Sequence, residues 1–204
     1  MQSFKDKVVV VTGGASGIGR AMARAFADEG CRLILHAGTR RDELQALADE
    51  AGWDAAVGSG DLRDSKVADA LVALGLERFG GVDICIANAG KWPPPHVELA
   101  DMDDARVREV LEVNLLGTMW TARAFLAGLS KRRDVVEGVG ASLCMTGSTA
   151  GRFGEAGHCT YSVSKAGMYG LLRTLKNEIV RIDPYGRVNL VEPGWTVTSM
   201  ARPA

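Results

Sequence analysis

The sequence predicts an α/β protein: a single domain spanning residues 1–204, built on a doubly wound, mainly parallel sheet. Three observations carry that prediction. Short, β-branched apolar runs alternate with segments of helical period along most of the chain, the pattern of βαβ units. The joins between them are short, so each strand leads directly into a crossover helix. Glycine is abundant, 25 of 204 residues, and clusters at strand-to-helix junctions. Those junctions are the carboxyl ends of strands, where open α/β sheets bind their ligands.

The elements follow in order. "KVVVVTGG" (residues 7–14) is a continuous β-branched run ending in glycine, as expected of a strand buried on both faces. "IGRAMARAFADEG" (18–30) sets Ile18, Met22, Ala25 and Phe26 at helical spacing and stops at Gly30, a C-terminal glycine signal. "RLILHAG" (32–38) reads as the second strand and "RDELQALADEAG" (41–52) as the second helix. "DAAVGSGDL" (54–62) is a weaker third strand. "DSKVADALVALGLERFG" (64–80) then opens a helix on the Asp64-Ser65 cap. "VDICIANAG" (82–90) is strand four, and residues 101–130 read as one long helix. "GASLCMTGS" (140–148) is strand five, residues 157–182 form a second long helix, and "GRVNLVEPG" (186–194) is strand six. One proline-rich loop, "KWPPPHVELADMD" (91–103), follows strand four; linkers, repeats and low-complexity segments are absent from the sequence.

Composition excludes several function classes. Hydrophobic residues make up 47% and charged residues 24%, ordinary for a globular protein, and the net charge is −1. No basic field therefore argues for nucleic acid, and no polybasic face for a membrane surface. No apolar stretch reaches the roughly 20 residues of a membrane span, and the N-terminus lacks the apolar core of a signal peptide. The four cysteines, Cys31, Cys85, Cys144 and Cys159, stand far apart and read as reduced thiols of a cytoplasmic protein. His36, His96 and His158 are isolated, so no metal is expected.

The chemistry gathers at the strand ends. "TGGASGIG", Thr12 to Gly19, joins strand one to helix one with glycines at 13, 17 and 19. Such a turn permits close backbone approach to a pyrophosphate, and the helix N-terminus behind it supplies free N–H groups. A plain strand–helix bend is the alternative. The spacing departs from G-x-G-x-x-G and lacks the G-K-[ST] of a nucleotide triphosphatase loop. After strand three, the Asp61 carboxylate in "GDL" either accepts from an adenine amino group or caps the next helix. "NAG", Asn88 to Gly90, ends strand four with small residues suited to packing a flat ring, or is a simple loop. In "TYSVSKAG", Tyr161 lies four residues before Lys165, on the same helix face. The two are either a surface pair, or the lysine is there to alter the acidity of the phenol.

Taken in order, these pieces resemble the short-chain dehydrogenase/reductase family over essentially the whole chain. They are "TGGASGIG", Asp61-Leu62, "NAG", Asn114 in "VNLLGT", Ser148 in "TGSTAG", Tyr161 and Lys165 in "YSVSK", and "PGWTVT" at 193–198. The resemblance implies a Rossmann-like sheet of strand order 3-2-1-4-5-6. It also implies an NAD(P)-dependent oxidoreductase that interconverts an alcohol and a carbonyl compound by hydride transfer. Its catalytic set would be Asn114, Ser148, Tyr161 and Lys165. Tyr161 would act as general acid/base, its pKa lowered by Lys165 and the oxidised nicotinamide. Ser148 would hold the substrate oxygen, Lys165 the nicotinamide ribose, and Asn114 a water relaying protons. Cofactor contacts would come from Gly13, Ser16, Gly17, Ile18, Gly19, Arg40, Asp61, Leu62, Asn88, Ala89, Gly90, Pro193, Gly194, Thr196 and Thr198, together with Tyr161 and Lys165.

The cofactor is NADP or NAD, leaning to NADP. Strand two ends "HAGTRR", with no acid at Ala37 or Gly38 to bind a ribose 2′-hydroxyl and with Arg40 and Arg41 just beyond. Ser16 weighs the other way, standing where NADP-preferring relatives of the family often carry a basic residue. The expected partners are a small-molecule alcohol or carbonyl substrate and copies of the chain itself, as a homodimer or homotetramer paired through the two long helices. Trp92, Trp195 and His158 fall near the expected mouth of the site, where each either shapes a substrate pocket or, the favoured reading, packs structurally. The family pattern continues past "SMARPA" with a lid helix and a last strand. A chain short of these is alternatively a dinucleotide-binding or assembly subunit with little catalytic activity.

Overall fold

The computed structural model describes residues 4–131 and 139–198; the closing "SMARPA" lies outside them. Six parallel strands form one sheet in the order β3-β2-β1-β4-β5-β6, as expected. They are β1 (Val8–Val11), β2 (Arg32–Ala37), β3 (Ala55–Ser59), β4 (Ile84–Ala87), β5 (Ser142–Thr146) and β6 (Arg187–Val191). Alternate residues of each strand face opposite ways, and both faces are covered. Val8 and Val10 join Ile34, Cys85, Leu143 and Met145 beneath Phe125 and Met168. Val9 and Val11 join Leu33, Leu35 and Ile86 on the other side, against Ala23 and Leu44. Burial on both faces explains why the central strands read as unbroken apolar runs.

Helices α1 (Gly17–Asp28), α2 (Arg41–Glu50) and α3 (Ser65–Phe79) fall where the periodicity places them. Asp64 caps α3 by accepting from the Lys66 N–H, so that role does not fall to Asp61. The expected long helix over 101–130 is present from Asp104 to Leu129, running without interruption through a π-helical turn. A 3-10 turn at Leu99–Asp101 precedes α4 (Asp104–Leu111), a π-helical turn at Glu112–Leu116 and α5 (Gly117–Leu129). Asp103 starts this helix as its N-cap, accepting from the Arg106 N–H at 2.8 Å. A short helix, α6 (Thr149–Phe153), was not foreseen. Ser148, expected on strand five, is instead its N-cap, and Gly154 at φ +80° ends it. The second long helix, α7, runs Cys159–Ile179, shorter than 157–182 at both ends.

The order 3-2-1-4-5-6 reverses direction between β1 and β4. The crevice at their carboxyl ends is the position at which such sheets take a ligand.

Candidate active site

The glycine-rich turn is built from its glycines upward. Gly13 and Gly17 sit at φ +69° and +54°, conformations that side chains resist. Gly19 is required by space: a Cβ there would lie 2.2 Å from the Gly13 carbonyl oxygen and 2.6 Å from Asn88 Nδ2. The side chain of Ser16, the N-cap of α1, makes no capping bond, and the first turn carries no acidic residue. The N–H groups and positive dipole end of α1 thus meet no carboxylate from its own first turn, an arrangement that fits a pyrophosphate.

Two residues outside the predicted set lace the strand ends together. Thr12 Oγ1 accepts from the N–H groups of Asn88 (2.9 Å) and Ala89 (3.0 Å) and donates to the Ile86 carbonyl (3.4 Å). Asn88 returns a bond from Nδ2 to the Thr12 carbonyl at 3.1 Å and accepts from Thr146 Oγ1 at 3.3 Å. His36, 3% exposed, places Nε2 2.9 Å from the Gly60 carbonyl, while its Nδ1 accepts from the Gly13 N–H at 3.4 Å. Only the neutral imidazole protonated on Nε2 makes both bonds. Burial holds the His36 pKa below its ordinary value, opposed by the Gly60 bond and Asp61.

A cavity of about 540 Å³ opens over these ends. Every sequence-predicted site residue lines it except Gly19 and Asn114, which stand behind its wall, and Arg41 stays outside it while Arg40 reaches it. Asp61 is engaged by Arg63, whose Nε donates at 2.7 Å and whose Nη2 lies 2.5 Å away. That bond is the first cause of a depressed Asp61 pKa. Leu62 beside it is 5% exposed and belongs to the core as well as the wall.

Ser148, Tyr161 and Lys165 converge at the far end. Lys165 is 4% exposed and donates from Nζ to the Thr146 carbonyl at 2.7 Å. Desolvation brings its pKa down from 10.5 to about 8. Its ammonium lies 5.7 Å from the Tyr161 ring centroid. The Tyr161 pKa is raised from 10.0, by burial first, with a Ser148 hydrogen bond acting against it. This is the reverse of the expected direction. Within the chain alone, desolvation of the phenol outweighs its neighbours, and the lowering argued from sequence also invoked the cofactor's positive charge. A Cβ at Gly90 would sit 3.3 Å from Asn114 Oδ1 and 3.5 Å from Lys165 Nζ, so a side chain there would crowd both groups.

Asn114, fully buried in the π-helical turn, grips the backbone of Lys91. Its Oδ1 accepts from the Lys91 N–H at 2.7 Å, and its Nδ2 donates to the Lys91 carbonyl (3.0 Å) and Ser164 Oγ (3.3 Å). Its carboxamide is therefore occupied with positioning the loop after β4. The residues after β6 fold back over the glycine turn. Thr198 Cγ2 lies 3.2 Å from where a Gly17 Cβ would be, and Thr196 Oγ1 donates to the Gly194 carbonyl at 3.1 Å. Among the described residues no cluster of three metal-ligating side chains forms, and no helix is long and apolar enough to cross a membrane.

Comparison with known proteins agrees with this geometry. Residues 7–204 match the short chain dehydrogenase family. The chain is 34% identical to an L-fucose dehydrogenase of Mus musculus, covering 95% of this chain and 67% of that protein. It is also 34% identical to an L-rhamnose 1-dehydrogenase (NAD(P)(+)) of Azotobacter vinelandii, covering 96% and 75%. A short chain dehydrogenase/reductase from Burkholderia phymatum, solved in complex with NAD, superposes with a TM-score of 0.88 at 26% identity, covering 98% of this chain and 69% of that one. The chain belongs to the short-chain dehydrogenase family and is an NAD(P)-dependent oxidoreductase of alcohols and carbonyl compounds.

Proposed function

We propose that the protein interconverts a secondary alcohol and its ketone, with Tyr161 as general acid/base, Ser148 as holder of the reacting oxygen and Lys165 as the charge beside them. The observation that carries this reading is the convergence of Ser148, Tyr161 and Lys165 on the same cavity as the glycine-rich turn. Bound NAD(P) would accept the carbinol hydride or return it. The chain moves the proton: Tyr161 takes it from the hydroxyl during oxidation and gives it to the alkoxide during reduction. Lys165, with a pKa of about 8, is an ammonium near neutrality and favours the phenolate form. Asn114 positions the Lys91–Trp92 loop against this centre. The binding or assembly alternative has no comparable support, since the Ser148, Tyr161 and Lys165 set faces the cavity intact.

NADP is the preferred cofactor in this reading. Arg40 lines the cavity and its guanidinium meets Glu43 only at 3.6 Å, both side chains being about half exposed. No carboxylate stands at Ala37 or Gly38. Since the two relatives named above are sugar dehydrogenases, a hydroxylated ring compound is the first substrate class to test. Four free thiols suit the reducing cytoplasm. Pairing of copies is proposed along α5 and α7, where Met119, Trp120, Leu171 and Ile182 line a shallow groove; light scattering that reads a monomer would end that part.

The test is turnover of a sugar panel with NADP and NAD by wild type and Tyr161→Phe. Loss of at least about a hundredfold in kcat is expected for the variant, as for removal of a general acid/base. Near-wild-type turnover by Tyr161→Phe overturns the mechanism, and tighter binding of NADH than NADPH overturns the cofactor preference.

A further inference from the structure

Trp92 is the first large side chain beyond the Asn114 clamp, and its indole is held on two sides. One neighbour is the buried ring of His158, with centroids 3.9 Å apart and planes tilted by 34°. The other is Tyr161, edge-on at 4.7 Å and 75°. The loop that carries Trp92 is pinned. Arg106 donates to the carbonyls of Pro93, Pro94 and Pro95, and the Val97 N–H donates to Gly157 at 3.1 Å. A second indole, Trp195, meets Trp92 at 5.9 Å and 67° and is 78% exposed. Both tryptophans line the active-site cavity.

Charge narrows the ligand that this corner takes. Glu155 lines the same end of the cavity. The nearby cations are engaged: Lys91 lies 2.6 Å from Glu109, Arg152 lies 3.9 Å from Glu192, Arg106 donates to the three proline carbonyls and Lys165 to the Thr146 carbonyl. An anionic substituent beside Trp92 would face a carboxylate and compete for cations already bound to carboxylates or backbone carbonyls. The corner therefore offers two aromatic planes and a hydrogen-bond acceptor, a surface for C–H groups and hydroxyls.

We propose that Trp92, backed by His158 and cornered by Trp195, is the substrate-binding platform, and that the substrate is an uncharged, ring-borne secondary alcohol or ketone lying with its C–H face on the indole. The proposal rests on the reading of Tyr161 as the acid/base, because only that fixes where the reacting carbon lies. In oxidation the ring carbinol loses its C–H hydride to oxidised NAD(P) and its O–H proton to the Tyr161 phenolate. The products are the ring ketone, reduced NAD(P) and neutral Tyr161. A ring places the carbons flanking the reacting one over the indole, whereas a short acyclic alcohol reaches Tyr161 without covering it.

The test pairs 1,2-cyclohexanediol with 2,3-butanediol, and adds cyclohexanecarboxylate as an anionic ring. Saturation-transfer NMR with the NADP-loaded protein reads binding without turnover, and initial rates read kcat and KM. Wild type is expected to bind the cyclic diol about tenfold more tightly than the acyclic one and to bind the carboxylate poorly. Trp92→Leu should erase that preference by raising KM for the cyclic diol more than for the acyclic one, and Trp92→Phe should keep most of it. Equal affinity for ring and chain in wild type, a preference unchanged in Trp92→Leu, or tight carboxylate binding overturns the platform. Should the ring preference in binding hold while Tyr161→Phe turns over as fast as wild type, the platform stands and the acid/base reading fails.

Discussion

Replacing Lys165 by methionine should stabilise the protein at neutral pH while removing its activity. Burial of the ammonium, 4% exposed, takes its pKa from 10.5 to about 8, a penalty of about 3 kcal/mol on the charged form. The charge-assisted bond to the Thr146 carbonyl, at 2.7 Å, returns about 1.5–3 kcal/mol. Methionine fills similar space without a charge, so the variant should be more stable by roughly 0–2 kcal/mol near pH 7. The sign of the pH dependence is a sharper test. The folded pKa lies below the unfolded one, so between about 8 and 10.5 the native state holds fewer protons than the unfolded chain. Wild-type stability therefore gains from this group as pH rises through that window and loses it as pH falls toward 8. The variant lacks this contribution, and other titrating groups cancel in the difference. Urea denaturation of both proteins from about pH 7.5 to about pH 11 should show wild type gaining about 3 kcal/mol on the variant. A difference that stays flat, or a variant destabilised by more than about 2 kcal/mol at pH 7, refutes the account of Lys165 as a charge held at a cost for chemistry.

Gly19→Ala should weaken dinucleotide binding at least tenfold and cost roughly 1–3 kcal/mol of stability, because its Cβ would meet the Gly13 carbonyl oxygen at 2.2 Å; unchanged affinity in a fluorescence titration with NADPH would refute this. His36 is held neutral by its bonds to Gly13 and Gly60, with its pKa lowered by burial. Its contribution is present above the ordinary 6.5 and is lost as pH falls through the lower folded value. Affinity for ADP-ribose, whose pyrophosphate does not titrate there, should fall from about pH 7 to about pH 5 in wild type. His36→Leu should bind more weakly at neutral pH and show no such fall. Parallel pH profiles for the two proteins would remove His36 from the explanation.

What the sequence by itself determined is local in its physics. An unbroken β-branched run states burial on both faces, a glycine after a strand states a turn, and a tyrosine four residues before a lysine states a shared helix face. From these came the alternation of strands and helices, the phosphate turn and the Tyr161–Lys165 pair, whereas the strand order and Ser148 followed only from the family resemblance of the motifs taken together. The tertiary structure decided what depends on the meeting of distant segments. His36, which read as an isolated histidine, spans turns 23 and 24 residues away. Asn114, which the resemblance makes the holder of a relay water, is buried in a π-helical turn that aims its carboxamide at Lys91. Asp103 sets the start of the long helix at Asp104, and a π-helical turn that periodicity does not show lies in its interior. For Trp92 the sequence favours packing over a pocket-shaping role, and only the approach of His158 and Tyr161 makes it one wall of an aromatic corner. Side-chain bonds across strand ends follow from sheet register and from which residue of a turn faces inward. Neither is written in a periodicity, because both are set by the packing of elements far apart along the chain.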